Sequence, residues 1–351
     1  MMVTEVVTAT ELTDEVLDVL SRAAEIIRSG GLVVFPTETV YGLGADATNA
    51  EAARKIYAAK GRPADNPLII HIASPDDASR YSEVSETYLR LAEAFMPGPL
   101  TVVLPSRSTI PPETRAGLST VAVRCPENPI ARKLIELSGV PIAAPSANLS
   151  GSPSPTKVTH VIDDMTGRVD MIIDGGNSDF GLESTIVKIE DDGVLTLLRP
   201  GKITVEELLT VVDEVRIASA VTAQLAEGEQ VQSPGMKYRH YAPESPVYLM
   251  DGDYDKILGY LCERAGKCKI AVIAYKEDIE TIKKLAPSAY LYEFGDREDE
   301  LTHAKLLFDI LRDADKKNFD EIYAPLPRKS GVGLALYNRM IRAAAYHIIR
   351  M

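Results

Sequence analysis

Short apolar runs recur through the first two hundred residues, and they constrain the fold more than any other feature. They fall at 32–35, 68–72, 101–104, 121–124, 141–144, 171–173, 185–189 and 194–198. Each is too short for a buried helix, and the apolar residues are successive rather than alternate. Each therefore reads as a strand covered on both faces. Stretches with helical spacing lie between several of them. Residues 11–29 carry Leu12, Val16, Val19, Leu20, Ala23, Ile26 and Ile27 on one stripe, stopped by Gly30-Gly31. Asn49 is placed to cap a helix through about Ala59, and 85–95, 129–138 and 205–212 read as further helices. Buried strands interleaved with helices predict an α/β domain with a large mixed sheet.

A second pattern begins at Val247. Strand candidates at 247–250, 269–275, 289–293 and 321–324 alternate with helix candidates at 254–265, 277–285, 298–313 and 334–350. That spacing predicts a small parallel α/β domain of about four strands. The domains are accordingly expected at 1–216 and 247–351, with 217–246 as the segment between them. This segment ends Ser233-Pro234-Gly235-Met236-Lys237-Tyr238-Arg239-His240-Tyr241-Ala242-Pro243. Its prolines and glycine mark a linker. Its cations and aromatics are unlike a passive Gly/Ser tether, so Lys237, Tyr238, His240 and Tyr241 are expected to lie over a ligand as a lid.

Charge and composition exclude several classes. The net charge is −13, and residues 1–216 hold 19 Lys+Arg against 31 Asp+Glu. A general nucleic-acid binder needs a basic surplus, so tight nonspecific binding of RNA or DNA is disfavoured, while a local basic cleft making weak tRNA contact stays open. The three cysteines, Cys125, Cys262 and Cys268, form no C-x-x-C pair, which argues against a disulfide framework or zinc ribbon. No apolar run approaches the ~20 residues needed to span a bilayer. The opening Met1-Met2-Val3-Thr4-Glu5 lacks a signal pattern, so a cytoplasmic location without membrane attachment is expected.

Two strings carry the chemistry. Lys60-Gly61-Arg62-Pro63 follows a helix, and Ser146-Ala147-Asn148 follows a strand. Two cations with a hydroxyl and an amide suit a polyphosphate, although the cations are also what an exposed helix C-terminus prefers. Thr37 and Thr39 follow the first apolar run, and their hydroxyls either bind a small polar substrate or cap the loop. His71 stands in a strand, where a histidine is more often core than ligand. Arg124 closes an apolar strand, and a buried arginine needs an anion: a local carboxylate or a substrate carboxylate. Gly181-Leu182-Glu183-Ser184-Thr185 puts Ser184 at a sheet edge. Gly42-Leu43-Gly44 imitates a dinucleotide fingerprint, but Thr37–Tyr41 separates it from the preceding strand, so it reads as a tight turn. No G-x-x-x-x-G-K-[ST] string exists, which removes a P-loop mechanism.

Taken in order, Thr37–Gly44, Lys60–Pro63, Pro145–Asn148, Glu183–Thr185 and Leu198-Arg199-Pro200-Gly201 resemble the YrdC-type threonylcarbamoyl-AMP synthases. The Ser233–Pro243 segment and the closing Gly331–Ala345 stretch match the longer, two-domain form. The resemblance implies an open, twisted α/β sheet followed by a small Rossmann-like domain. It implies that L-threonine, bicarbonate and ATP give threonylcarbamoyl-AMP and pyrophosphate. A downstream tRNA threonylcarbamoyl-transferase machinery would then modify an adenosine beside the anticodon. It also implies roles. Lys60, Arg62, Ser146 and Asn148 would serve the chemistry. Arg124 would take the threonine carboxylate with Thr39, His71, Ala144 and Ser184 nearby. Arg62, Asn66, Thr120, Ser146, Ser154, Arg199 and Pro234 would line the ATP side. Mg2+ is expected with ATP, held mainly by phosphates and water because no carboxylate pair stands out and its protein ligands are unknown. The competing expectations are a non-catalytic RNA- or tRNA-binding module of the same fold, which the acidic balance opposes, and a related carbamoyl-transfer enzyme using carbamoyl phosphate. The latter carries zinc-finger and acylphosphatase segments that are not found here.

Overall fold

The computed structural model describes residues 2–223 and 241–351. The first stretch forms one compact unit and the second another, except that Gly151–Pro153 groups with the second. Among the described residues the first unit contains β1 (Glu5–Thr8), β2 (Val33–Phe35), β3 (Gly42–Asp46), β4 (Ile69–His71), β5 (Leu100–Pro105), β6 (Thr120–Arg124), β7 (Ile142–Ala143), β8 (Met171–Asp174), β9 (Thr185–Ile189), β10 (Leu195–Arg199) and β11 (Val215–Ile217). They form one mixed sheet in the order β1-β8-β2-β3-β7-β4-β6-β5-β9-β10-β11. The predicted apolar runs supply its interior, because a strand with neighbours on both sides and layers above and below must be apolar throughout.

Local signals start and stop the helices. The Thr13 hydroxyl accepts from Val16 N at 3.3 Å to begin Asp14–Arg28. Asn128 caps Pro129–Ser138, whose first residue is proline. These two helices bury Leu20, Ala23, Ile27, Ile130, Leu134 and Ile135 against Val33, Phe35, Ile142 and Met171 of the sheet. Burying each such side chain fully is worth about 1.5–3 kcal/mol. Gly61, at φ +62, closes the helix Ala50–Lys60. The chain direction just after it is thereby fixed.

Several expectations change. Gly42–Asp46 is strand β3, not a tight turn. A Cβ on Gly44 would lie 2.8 Å from both Ile142 Cγ2 and Phe35 Cε1, so glycine is there to let strands pack closely. The helix expected over 205–212 shortens to Val205–Leu208. The outermost strands β1 and β11 were not legible, because their side chains are mostly exposed and carry no apolar run.

In the second unit, β12 (Val247–Asp251), β13 (Ile270–Ala274), β14 (Tyr290–Glu293), β15 (Glu321–Pro325) and β16 (Ile348–Arg350) form an all-parallel sheet in the order β14-β13-β15-β12-β16. There are five strands among the described residues rather than four. The last helix was expected to reach 350 but ends at Ala343. Ala345 and Tyr346 then take φ of 45° and 65°, which break the helix and turn the chain into β16. No helix among the described residues is long and apolar enough to cross a membrane.

Candidate functional site

Sheet register gathers the polar residues. Arg124 of β6 is the Cα partner of His71 in β4 and of Thr101 in β5, and His71 in turn pairs with Ile142 in β7. Register partners share a face, so Thr101, Arg124 and His71 form a polar row across apolar strands. The Thr101 hydroxyl lies 2.8 Å from that of Ser184, which receives Arg199 Nη2 at 3.1 Å, while Arg199 Nε donates to Ser184 O at 3.0 Å. Ser184 is thus fully buried beside internal strand β9, not at the sheet edge expected for it. Interior position follows because β5 and β10 flank β9 on both sides.

Arg124 has found a local carboxylate. Its Nη2 lies 2.5 Å from Glu38 Oε1, and both side chains are only 5% exposed. Glu38 comes from the loop joining β2 to β3, which is pinned by its own threonine. Thr37 Oγ1 donates to Val40 O at 2.6 Å, accepts from Thr39 N and Val40 N at 3.2 Å, and lies 2.9 Å from Thr39 Oγ1. The loop-capping alternative therefore holds for Thr37. Beyond Arg124, His71 is buried against the edge of Phe35, with ring centroids 6.1 Å apart. Burial, then the neighbouring Arg124 charge, lowers its pKa to about 3, so the imidazole is neutral at physiological pH. Its Nδ1 has no hydrogen-bond partner among the described residues.

A second cluster lies where the helix Ala50–Lys60 meets the loop after β7. Ser146 bridges to Gly42 across the ladder, and Ala147 N donates to Tyr41 O at 2.8 Å. Ser146 Oγ donates to Asn148 Oδ1 at 2.5 Å. Lys60 Nζ donates to Ser146 O, to Asn148 O at 2.6 Å and to Asn148 Oδ1 at 3.3 Å. Lys60 is only 3% exposed, which corrects its expected place at an exposed helix end. The helix terminus abuts the loop, so its last side chain turns inward and finds carbonyls instead of water. Arg62 is half-buried and donates to Asn66 O at 3.3 Å and Pro67 O at 3.1 Å. The buried Asn66 side chain leaves Oδ1 without a hydrogen-bond partner among the described residues.

The remaining expected residues are placed as follows. Ser154 is fully buried and donates to Glu183 Oε1. Ala144 is buried after β7, with its N–H on Ile69 O at 2.9 Å. Thr39 is fully buried beside Thr37, and Thr120 is half-buried at the start of β6. Pro234, Lys237, Tyr238 and His240 lie outside the described residues. Tyr241 belongs to the second unit, where its ring stacks on Phe308 at 5.2 Å under Arg339 at 5.9 Å. Sequence reasoning missed Glu38, Thr101 and Glu183. A usable signal existed for two of them: Glu38 is the one acid between the paired threonines, and Thr101 is the one polar side chain within the 100–104 run.

A family model described as telomere recombination (Sua5/YciO/YrdC) matches residues 25–201, and one described as threonylcarbamoyl-AMP synthase, C-terminal domain, matches residues 203–345. The chain belongs to the threonylcarbamoyl-AMP synthase family. Two curated relatives bearing that name are similar over 94% of this chain: one from Pyrococcus abyssi, 44% identical over 95% of its own length, and one from Bacillus subtilis, 42% identical over 94%. A crystal structure of P. abyssi Sua5 complexed with L-threonine is 42% identical. It covers 99% of this chain and 100% of that one, with a TM-score of 0.90. Membership of the threonylcarbamoyl-AMP synthase family bears out the resemblance read from the five motifs, and the two sheets bear out the α/β architecture.

Proposed function

We propose that this chain condenses L-threonine, bicarbonate and ATP into L-threonylcarbamoyladenylate, pyrophosphate and water. The relatives' shared name and the threonine bound in the P. abyssi structure support the reading. The observation that carries it is the register row that sets Arg124 beside neutral His71 on a buried sheet face. In this reading the row takes the amino acid: Arg124 its carboxylate, with His71, Thr39, Ala144 and Ser184 around its side chain. The amine captures bicarbonate carbon, and the resulting carbamate oxygen attacks the α-phosphate as pyrophosphate leaves. No covalent enzyme intermediate is needed, so the site's work is alignment and charge stabilisation. Lys60 serves that work by fixing the Ser146–Asn148 loop, and Arg62, Asn66, Thr120, Ser154 and Arg199 face the nucleotide.

ATP enters as its magnesium complex. The ion is expected to be carried mainly by the phosphates and water. The product is a water-labile mixed anhydride, so a transferase acting on tRNA must consume it promptly. Pyrophosphate release, assayed with each substrate omitted in turn, tests the proposal: all three should be required. Serine, lacking one methyl, should be rejected by only about 10–200-fold, and valine, lacking the hydroxyl, by on the order of 10⁴-fold or more. Turnover of valine equal to that of threonine would overturn the reading.

A further inference from the structure

The buried Glu38–Arg124 pair is incomplete in a directed way. One oxygen of Glu38 holds one nitrogen of Arg124 at 2.5 Å. The other carboxylate oxygen, Oε2, and the guanidinium Nε are both buried, and neither has a hydrogen-bond partner among the described residues. A purely structural ion pair at this depth gains from satisfying every lone pair and N–H, because unpaired buried polar atoms are costly. Here each partner keeps one edge unused, and the two edges carry opposite charge. His71 adds no charge beside them, since its imidazole is neutral. The carboxylate is also held in place by its backbone: Phe180 N donates to Glu38 O at 2.9 Å, and Gly181 N donates to Thr39 O at 3.1 Å.

We infer that Glu38 is a substrate-recognition residue that binds the α-ammonium group of the amino acid whose carboxylate Arg124 binds. The inference rests on the threonine reading of this site. An α-amino acid bears its two charges on one carbon, and the pair leaves one unpartnered atom of each sign, Glu38 Oε2 and Arg124 Nε, in the same buried site. The ligand and the pair are each electrically neutral, so binding leaves no net charge in the buried site. A 2-hydroxy acid would offer Glu38 Oε2 a neutral hydroxyl in place of a cation, losing the charge-assisted bond and bringing an uncompensated negative charge into the buried site. Selection for the amine is therefore built into the site before any chemistry occurs, and it holds at a fixed point the nitrogen that attacks carbon once the ammonium has given up a proton.

The test is calorimetric, on the full chain. Binding of L-threonine is compared with that of 2,3-dihydroxybutanoate, in which a hydroxyl replaces the amine, for the wild type and for Glu38→Gln. Gln keeps an oxygen for Arg124 but loses the charge. The wild type should prefer threonine at least about tenfold. Glu38→Gln should lose roughly 10–100-fold in threonine affinity, the usual range for one charge-assisted hydrogen bond, with ATP affinity unchanged and the preference largely abolished. Wild-type threonine affinity in Glu38→Gln would overturn the inference. So would a wild type that binds both acids equally, a result that needs no folded variant. A wild type that binds neither acid would remove the threonine reading itself, and this inference with it.

Discussion

Replacing Lys60 by methionine separates two effects that the sequence alone would have merged. Methionine keeps the apolar stem and most of the volume but removes the ammonium group. In the native chain that group donates to Ser146 O, to Asn148 O at 2.6 Å and, at greater length, to Asn148 Oδ1. Each close charge-assisted bond is worth about 1.5–3 kcal/mol. Two of them, less the desolvation that a buried ammonium suffers, give a net loss of about 2–4 kcal/mol in Lys60→Met. Circular dichroism at 222 nm through a urea titration reads this, because the chain has no tryptophan to report unfolding. The same substitution frees the Ser146–Asn148 loop and deletes a preorganised charge, which should lower the pyrophosphate-release rate by about 10²–10³-fold. Undiminished stability with a lost rate would mean that Lys60 does not hold the loop. Lost stability with an unchanged rate would mean that it holds the loop but takes no part in the chemistry. Wild-type values of both would refute the reasoning outright.

Three further outcomes follow from the same geometry. His71 has a folded pKa of about 3, below its ordinary value near 6.5, so the stability it contributes is complete above about pH 6.5 and is lost as pH falls toward 3. His71→Gln should therefore flatten the stability profile between pH 6.5 and 5 by up to about 1.4 kcal/mol per pH unit, measured by urea midpoints; parallel profiles would contradict the buried neutral imidazole. Thr101→Val deletes the 2.8 Å contact with Ser184 and should cost about 0.5–1.5 kcal/mol while raising KM for threonine and leaving that for ATP unchanged. A rise confined to the ATP KM would move Thr101 and Ser184 to the nucleotide side. Gly44→Ala should destabilise by about 1–3 kcal/mol, because the added carbon meets Ile142 and Phe35 at 2.8 Å, with little change in ATP KM; a selective loss of ATP affinity would restore the dinucleotide-type reading of this string.

The sequence determined most of the secondary structure wherever a segment's own chemistry decided its state. Buried runs such as 185–189 became strands and Pro129–Ser138 became a helix, because apolar periodicity and capping residues act over a few neighbours. The order of the motifs was likewise enough to identify the family. Tertiary structure decided what those signals meant in three dimensions. Gly42–Asp46 is a strand because β2 and β7 pair with it, and position 44 is glycine because Phe35 and Ile142 leave no room for a Cβ; nothing adjacent in the chain announces either. Lys60 looked like an exposed helix-terminal cation until the loop 86 residues onward closed on it. Arg124 visibly needed an anion, but its partner Glu38 lies 86 residues earlier, brought near by a sheet whose neighbours are not consecutive in sequence. Local propensity is written in nearby residues, whereas the partner of a buried charge is set by strand order and register.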